Sequence, residues 1–323
     1  MERPMFNEIY EFPEEPFGLT PDPRFFFPTE NLREVIDSIV YHIEKSDGFV
    51  LVTGEIGVGK TTLIQQLLSM LSPAIQAIPI YNPAETLDGL LETILQELHL
   101  PLEEKNRGFM ISRFNDYLNQ KSARNETVVI ILDEAHNLSK EVLEEVRLLC
   151  NPDPRQPRRL KEVFVGLPQI EEKLRSEDMR QLNQRITTRH QLRPLTEGES
   201  WRYIAHRLNK VNKNAAEIFS LESVSSICSY AKGIPRIINM VCHLALSARY
   251  VLGRKKVDWG IIKEVFTILE SQNPSRFQRM MASLETSSER LGRSSVITKI
   301  SVLLWVYCVL AWITFFYLSL QQK

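Results

Sequence analysis

Short apolar runs alternate along the first two thirds of the chain with segments whose apolar residues recur every three or four positions. The runs predict strands at residues 49–53, 77–81, 127–132, 161–166 and 190–195. The periodic segments predict helices at 31–45, 61–68, 87–98, 109–118, 141–149 and 169–184. Strands this apolar are buried on both faces, and helices between them make a parallel sheet. Beyond Pro194 the pattern is helical only, with helices at 196–211 and 221–231, another opening at 232–236, and one at 257–270. Thr196 and Glu199 have the spacing of a capping box, and Pro235 sits where a first turn tolerates proline.

The predicted boundaries follow from these shifts. Residues 1–30 form a proline- and aromatic-rich segment that packs on the domain. Residues 31–195 form the α/β domain and 196–270 a helical lid. Residues 271–295 are a polar linker, and 296–320 a terminal membrane-crossing helix. The stretch 300–320 carries no charge, and at ~1.5 Å per residue it is about as long as a bilayer core is thick. A buried core helix or a helix for a partner's groove is the alternative reading. Arg290, Arg293 and Lys299 precede the stretch and only Lys323 follows it, which puts the large N-terminal part in the cytoplasm. The N-terminus has no apolar core of a signal peptide.

Chemistry enters at two strand ends. Gly54-Glu55-Ile56-Gly57-Val58-Gly59-Lys60-Thr61 is a complete P-loop with a strand before it and a helix after it. Its backbone N–H groups and the helix N-terminus suit phosphates. Gly54 to Thr62 are the expected nucleotide contacts. Lys60 would reach the β- and γ-phosphates of ATP, and the Thr61 hydroxyl would bind Mg²⁺. The strand at 127–132 ends in Asp133-Glu134, with Asp133 expected on Mg²⁺ and Glu134 as general base toward water. His136 reads as a local hydrogen-bonding residue. The basic, proline-broken loop 151–161 reads as solvated or as a partner contact.

Composition narrows the classes. The net charge of −1 over 323 residues argues against a dedicated nucleic-acid binder. The four cysteines form no C-x-x-C pair, so no zinc or thiol-redox signature is present.

Taken with Arg180-Gln181-Leu182, Gln184-Arg185-Ile186 and Gly233-Ile234-Pro235-Arg236, the two motifs make the chain resemble AAA+ ATPases. More closely, residues 5–270 resemble those of the general secretion pathway protein A type. The Thr20-Pro21-Asp22-Pro23-Arg24-Phe25 segment at the front belongs to that resemblance. It implies a homo-oligomer in which an arginine from one subunit completes the neighbour's site. Arg185 is the first choice for that finger and Arg180 the second, and Arg236 matches the sensor 2 arginine. The chain departs from relatives at Gly166-Leu167-Pro168, where they read Gly-Gln-Pro, so its sensor 1 group is in question. The expected fold is an α/β P-loop NTPase (AAA+) three-layer sandwich with a parallel sheet, a helical lid and one transmembrane helix. The expected activity is ATP hydrolysis with Mg²⁺, coupled to a membrane-embedded partner in an envelope complex at the bacterial inner membrane. Two rivals are a DNA-associated switch and a scaffold that holds nucleotide without hydrolysing it.

Overall fold

A computed structural model of the chain describes residues 12–150 and 160–270. The expected linker at 271–295, the expected membrane helix at 296–320 and most of the basic loop lie outside the described residues. Among the described residues, no helix is long and apolar enough to cross a membrane.

The chain divides into two compact units. The larger comprises residues 19–203 with a short return, 232–237. It holds a five-stranded sheet of β1 (Phe49–Gly54), β2 (Ile75–Ile80), β3 (Thr127–Leu132), β4 (Leu160–Gly166) and β5 (Ile186–Leu192). The spatial order is β2-β3-β4-β1-β5, and every pairing is parallel. β1 is buried along its whole length, as its unbroken apolar run requires.

Alternate side chains of the strands leave on opposite faces and build two cores. Phe49, Leu51, Ile130, Leu132 and Phe164 join the core that holds residues of α3 (Leu87–Glu97), α4 (Arg107–Ala123), α5 (Lys140–Leu149), α6 (Gln169–Leu174) and α7 (Arg180–Arg185). Val50, Val52, Val129, Ile131, Val163 and Val165 join residues of α1 (Glu30–Lys45) and α2 (Lys60–Met70). Helix, sheet and helix thus make three layers, as the alternating pattern predicts.

Among the elements that differ from the sequence reading, three are instructive. The expected helix over 169–184 is three pieces, because the chain becomes extended at Ser176 before a single 3-10 turn, Glu177–Met179, and then α7. β5 begins at Ile186 and ends before Pro194, four residues ahead of the expected start. It is an edge strand of alternating burial, so its Thr187, Arg189 and Gln191 side chains are exposed and the apolar criterion passes over them. β2 begins at Ile75, two residues early, and tolerates Pro79 because it too lies at the sheet's edge.

The described part of the smaller unit comprises residues 12–18, 204–231 and 238–270. Its helices include α9 (Ala215–Ile218), α10 (Leu221–Ala231) and α12 (Trp259–Glu270). Phe17 is fully buried and meets Phe219 edge-on at 6.4 Å. His243 Nδ1 lies 2.6 Å from Glu15 Oε1. Tyr230 stacks on Phe266 at 4.2 Å, and Phe219 pairs with Val257 in an isolated parallel bridge. Within the described front of the chain, Phe12, Pro16, Phe17 and Phe25 are buried, whereas Thr20, Pro21, Pro23 and Arg24 are exposed.

Candidate nucleotide site

β1 delivers Gly54 at its C-terminal end, and six residues later α2 begins with Lys60. Gly57 (φ 82°) and Gly59 (φ 111°) both take the left-handed conformation in that turn. Lys60 is buried, and its ammonium donates to the carbonyls of Gly54 at 3.1 Å and Glu55 at 3.3 Å. Burial lowers its pKa, opposed by the carboxylates of Glu134, Asp133 and Glu55. Glu55 and Ile56 are exposed, whereas Gly57, Val58, Gly59, Thr61 and Thr62 are partly buried.

Asp133 follows β3 and is anchored by its own N–H, which donates to Ile80 O at 2.9 Å. One carboxylate oxygen accepts from Glu134 N–H at 2.9 Å, and the other from the Thr61 hydroxyl at 3.1 Å. Burial raises the Asp133 pKa; the Glu134 N–H, Thr61 and Lys60 oppose the rise. A hydroxyl and a carboxylate held this close are hard oxygen donors, the set that Mg²⁺ takes. A dication here would also relieve the cost of the buried carboxylate. The residues present therefore fit the metal.

Glu134 has φ 53°, a left-handed conformation rare for a residue with a side chain. It begins a 3-10 turn, Ala135–Asn137, and its carboxylate is partly exposed.

Arg236 comes to the same site from the return segment. It lies in the first turn of α11 (Pro235–Val251), and its N–H donates to Gly57 O at 3.3 Å. A Cβ on Gly57 would come within 2.7 Å of Arg236 Cβ, so glycine permits this approach. Burial lowers the Arg236 pKa, and the Glu134 carboxylate opposes the shift. The return is pinned by Leu195 N–H donating to Gly233 O at 2.8 Å.

Arg185 is elsewhere. It ends α7 just before β5, and its guanidinium lies over the Phe49 ring at 4.9 Å. Phe49 opens β1, so Arg185 is at the far end of the sheet from Lys60, a strand length of roughly 20 Å. Arg180 opens α7 and is exposed. The fold brings Lys60, Thr61, Asp133, Glu134 and Arg236 together and keeps Arg185 out of that group. One participant escaped the sequence reading. Lys173 donates to the carbonyls of His136 at 2.8 Å and Leu138 at 2.5 Å and so clamps the turn after Glu134. Glu162, a charge inside an apolar run, is buried in the middle strand opposite Phe49 and so lies at the end of the sheet away from Lys60.

A protein-family model described as an AAA domain matches residues 43–174. General secretion pathway protein A of Aeromonas hydrophila is 34% identical over 260 residues, covering 80% of this chain and 47% of that protein. The chain thus spans about half the length of the curated relative it matches. Among solved structures, Drosophila ORC bound to DNA is similar with a TM-score of 0.61 at 15% identity, over 92% of this chain and 77% of that one. The ADP form of Aeropyrum pernix ORC2 gives 0.60 at 15% identity, over 88% and 83%. At such identity these two likenesses show the fold alone.

Proposed function

Because the chain carries an AAA domain and is homologous to general secretion pathway protein A, we propose that it is a membrane-anchored ATPase. In this reading it drives or regulates assembly of a cell-envelope secretion, pilus or export system. The observation that carries the reading is the pairing of Thr61 with Asp133 beside buried Lys60. Lys60 and the N–H groups of residues 54–62 hold the phosphates of ATP. Thr61 and Asp133 hold Mg²⁺, which offsets charge on the transferring phosphoryl group when bound. Glu134 orients and deprotonates water. Arg236 senses the γ-phosphate, and Arg185, with Arg180 as second choice, reaches the site of a neighbouring copy. Residues 296–320 anchor the chain in the inner membrane with its nucleotide domain facing the cytoplasm.

The test is ATP turnover and Mg²⁺-dependent ATP affinity of the full chain beside Glu134→Gln. Loss of turnover with affinity kept supports the ATPase. Equal turnover in both proteins removes Glu134 from the chemistry. A second reading, a scaffold shaped by bound nucleotide, is favoured by one observation: Leu167 is apolar where the resemblance implies a polar sensor group. Tight ATP binding with no turnover at any protein concentration supports the scaffold instead.

A further inference from the structure

The loop after β3 contains a histidine that the roles above leave unused. His136 lies in the 3-10 turn directly after Glu134, with only 15% of its side chain exposed. Its Nδ1 is 3.3 Å from Glu134 Oε2. The same atom accepts the N–H of Leu167 at 3.4 Å, from the loop that leaves β4. Gly166 makes room for it, since a Cβ there would come within 3.2 Å of His136 N and 3.4 Å of Nδ1. Lys173 fixes the backbone of the turn through the His136 carbonyl.

One nitrogen therefore faces a donor on one side and an acceptor on the other. An imidazole nitrogen either accepts with its lone pair or donates with its proton, and the two are exclusive. When Nδ1 accepts from Leu167 N–H, the ring proton is on Nε2 and the Glu134 carboxylate gains no bond from the ring. When Nδ1 carries the proton, it donates to Glu134 Oε2, and the bond to Leu167 is lost. A carboxylate engaged in that bond is held in one orientation beside the end of β3.

We propose that His136 is a positioning residue for Glu134, joining the ends of β3 and β4 in the place where Leu167 offers no polar side chain. A small separation of the two strand ends decides which bond Nδ1 makes, and so whether Glu134 is held or released. This rests on Glu134 being the base, as read above.

The test compares the full chain with His136→Ala, His136→Asn and His136→Gln. Asparagine puts its amide atoms where Nδ1 stands, whereas glutamine carries them one bond further. The expected result is a kcat at least about tenfold lower in the alanine and glutamine variants, recovered to within about threefold by asparagine, with ATP affinity within about twofold throughout. Asparagine as slow as alanine, or all three variants as fast as the parent, overturns the proposal.

The imidazole ¹⁵N shifts of His136 give a readout that needs no turnover. Glu134→Gln should change its tautomer balance, and unchanged shifts likewise overturn the proposal. A parent chain without turnover whose His136 shifts still respond to Glu134→Gln refutes the ATPase reading and leaves the coupling standing.

Discussion

Glu162 is a carboxyl group that the fold buries at a cost. It lies on the middle strand and is 3% exposed. Burial pushes its pKa up to about 8, while the Cys150 thiol, Arg185 and Lys161 pull the other way. The native chain therefore keeps a proton that the unfolded chain releases near the ordinary value of 4.5. Between those two values native protein binds more protons, so this residue's contribution to stability falls as pH rises, by up to about 1.4 kcal/mol per pH unit. Glu162→Gln carries no such penalty. Its urea midpoint should exceed the parent's by more at pH 8 than at pH 5, and an equal gap at both would mean Glu162 is already ionised in the fold. In the proposed ATPase, Glu134→Gln should lower kcat by roughly 10²–10⁴, measured as steady-state phosphate release. Lys60→Ala should abolish saturable ATP binding at micromolar nucleotide in a titration. The chemistry at Lys60, Thr61 and Asp133 was legible because spacing, strand and helix coincide in the sequence. The liabilities at Glu162 and Lys173 were not, because burial of a charge is decided by neighbours far away in the chain.

At the scale of elements, the sheet was legible where strands are buried on both faces and indistinct where they are not. β1 and β3 announce themselves as unbroken apolar runs. β5 shows one buried face only, and its polar Thr188 and His190 are instead used by α1. His42 Nδ1 lies 2.9 Å from Thr188 Oγ1, and His190 Nε2 lies 2.8 Å from Ser38 Oγ. Burial, with a smaller push from His42, lowers the His190 pKa, so protonation in acid works against this packing. The reading of the return segment can be tested at Gly233. Its φ is 75°, and an added Cβ would lie 1.9 Å from Leu195 O. Gly233→Ala should cost about 1–3 kcal/mol or more through strain and clash, seen as a lower melting temperature. Full stability in that variant would show that the segment docks in another way.

For the molecule as a whole, the arginines make assembly testable. An arginine roughly a strand's length from its own phosphates can act only on another copy. In the proposed oligomer, ATP turnover per chain should rise with protein concentration, and Arg185→Ala should depress it by about 10³-fold or more at saturation. Arg180→Ala is the comparison, and the larger loss identifies the finger. Turnover per chain that is flat with concentration would point to a site complete within one copy. No local pattern signals that the chain re-enters its larger unit at residues 232–237, since that depends on where Gly233 and Arg236 dock.

The same re-entry bears on how the protein can be cut. Linear boundaries invite a fragment ending near residue 195, after the last strand. Such a fragment would keep all five strands and both motifs yet lose the six residues that return to Gly57 and Leu195. Cleavage by a protease between residues 204 and 231 would leave those residues in the second piece, tied to the first only by noncovalent contact. A faithful minimal fragment therefore has to run through both units, and nucleotide-binding measurements on anything shorter would describe a different molecule.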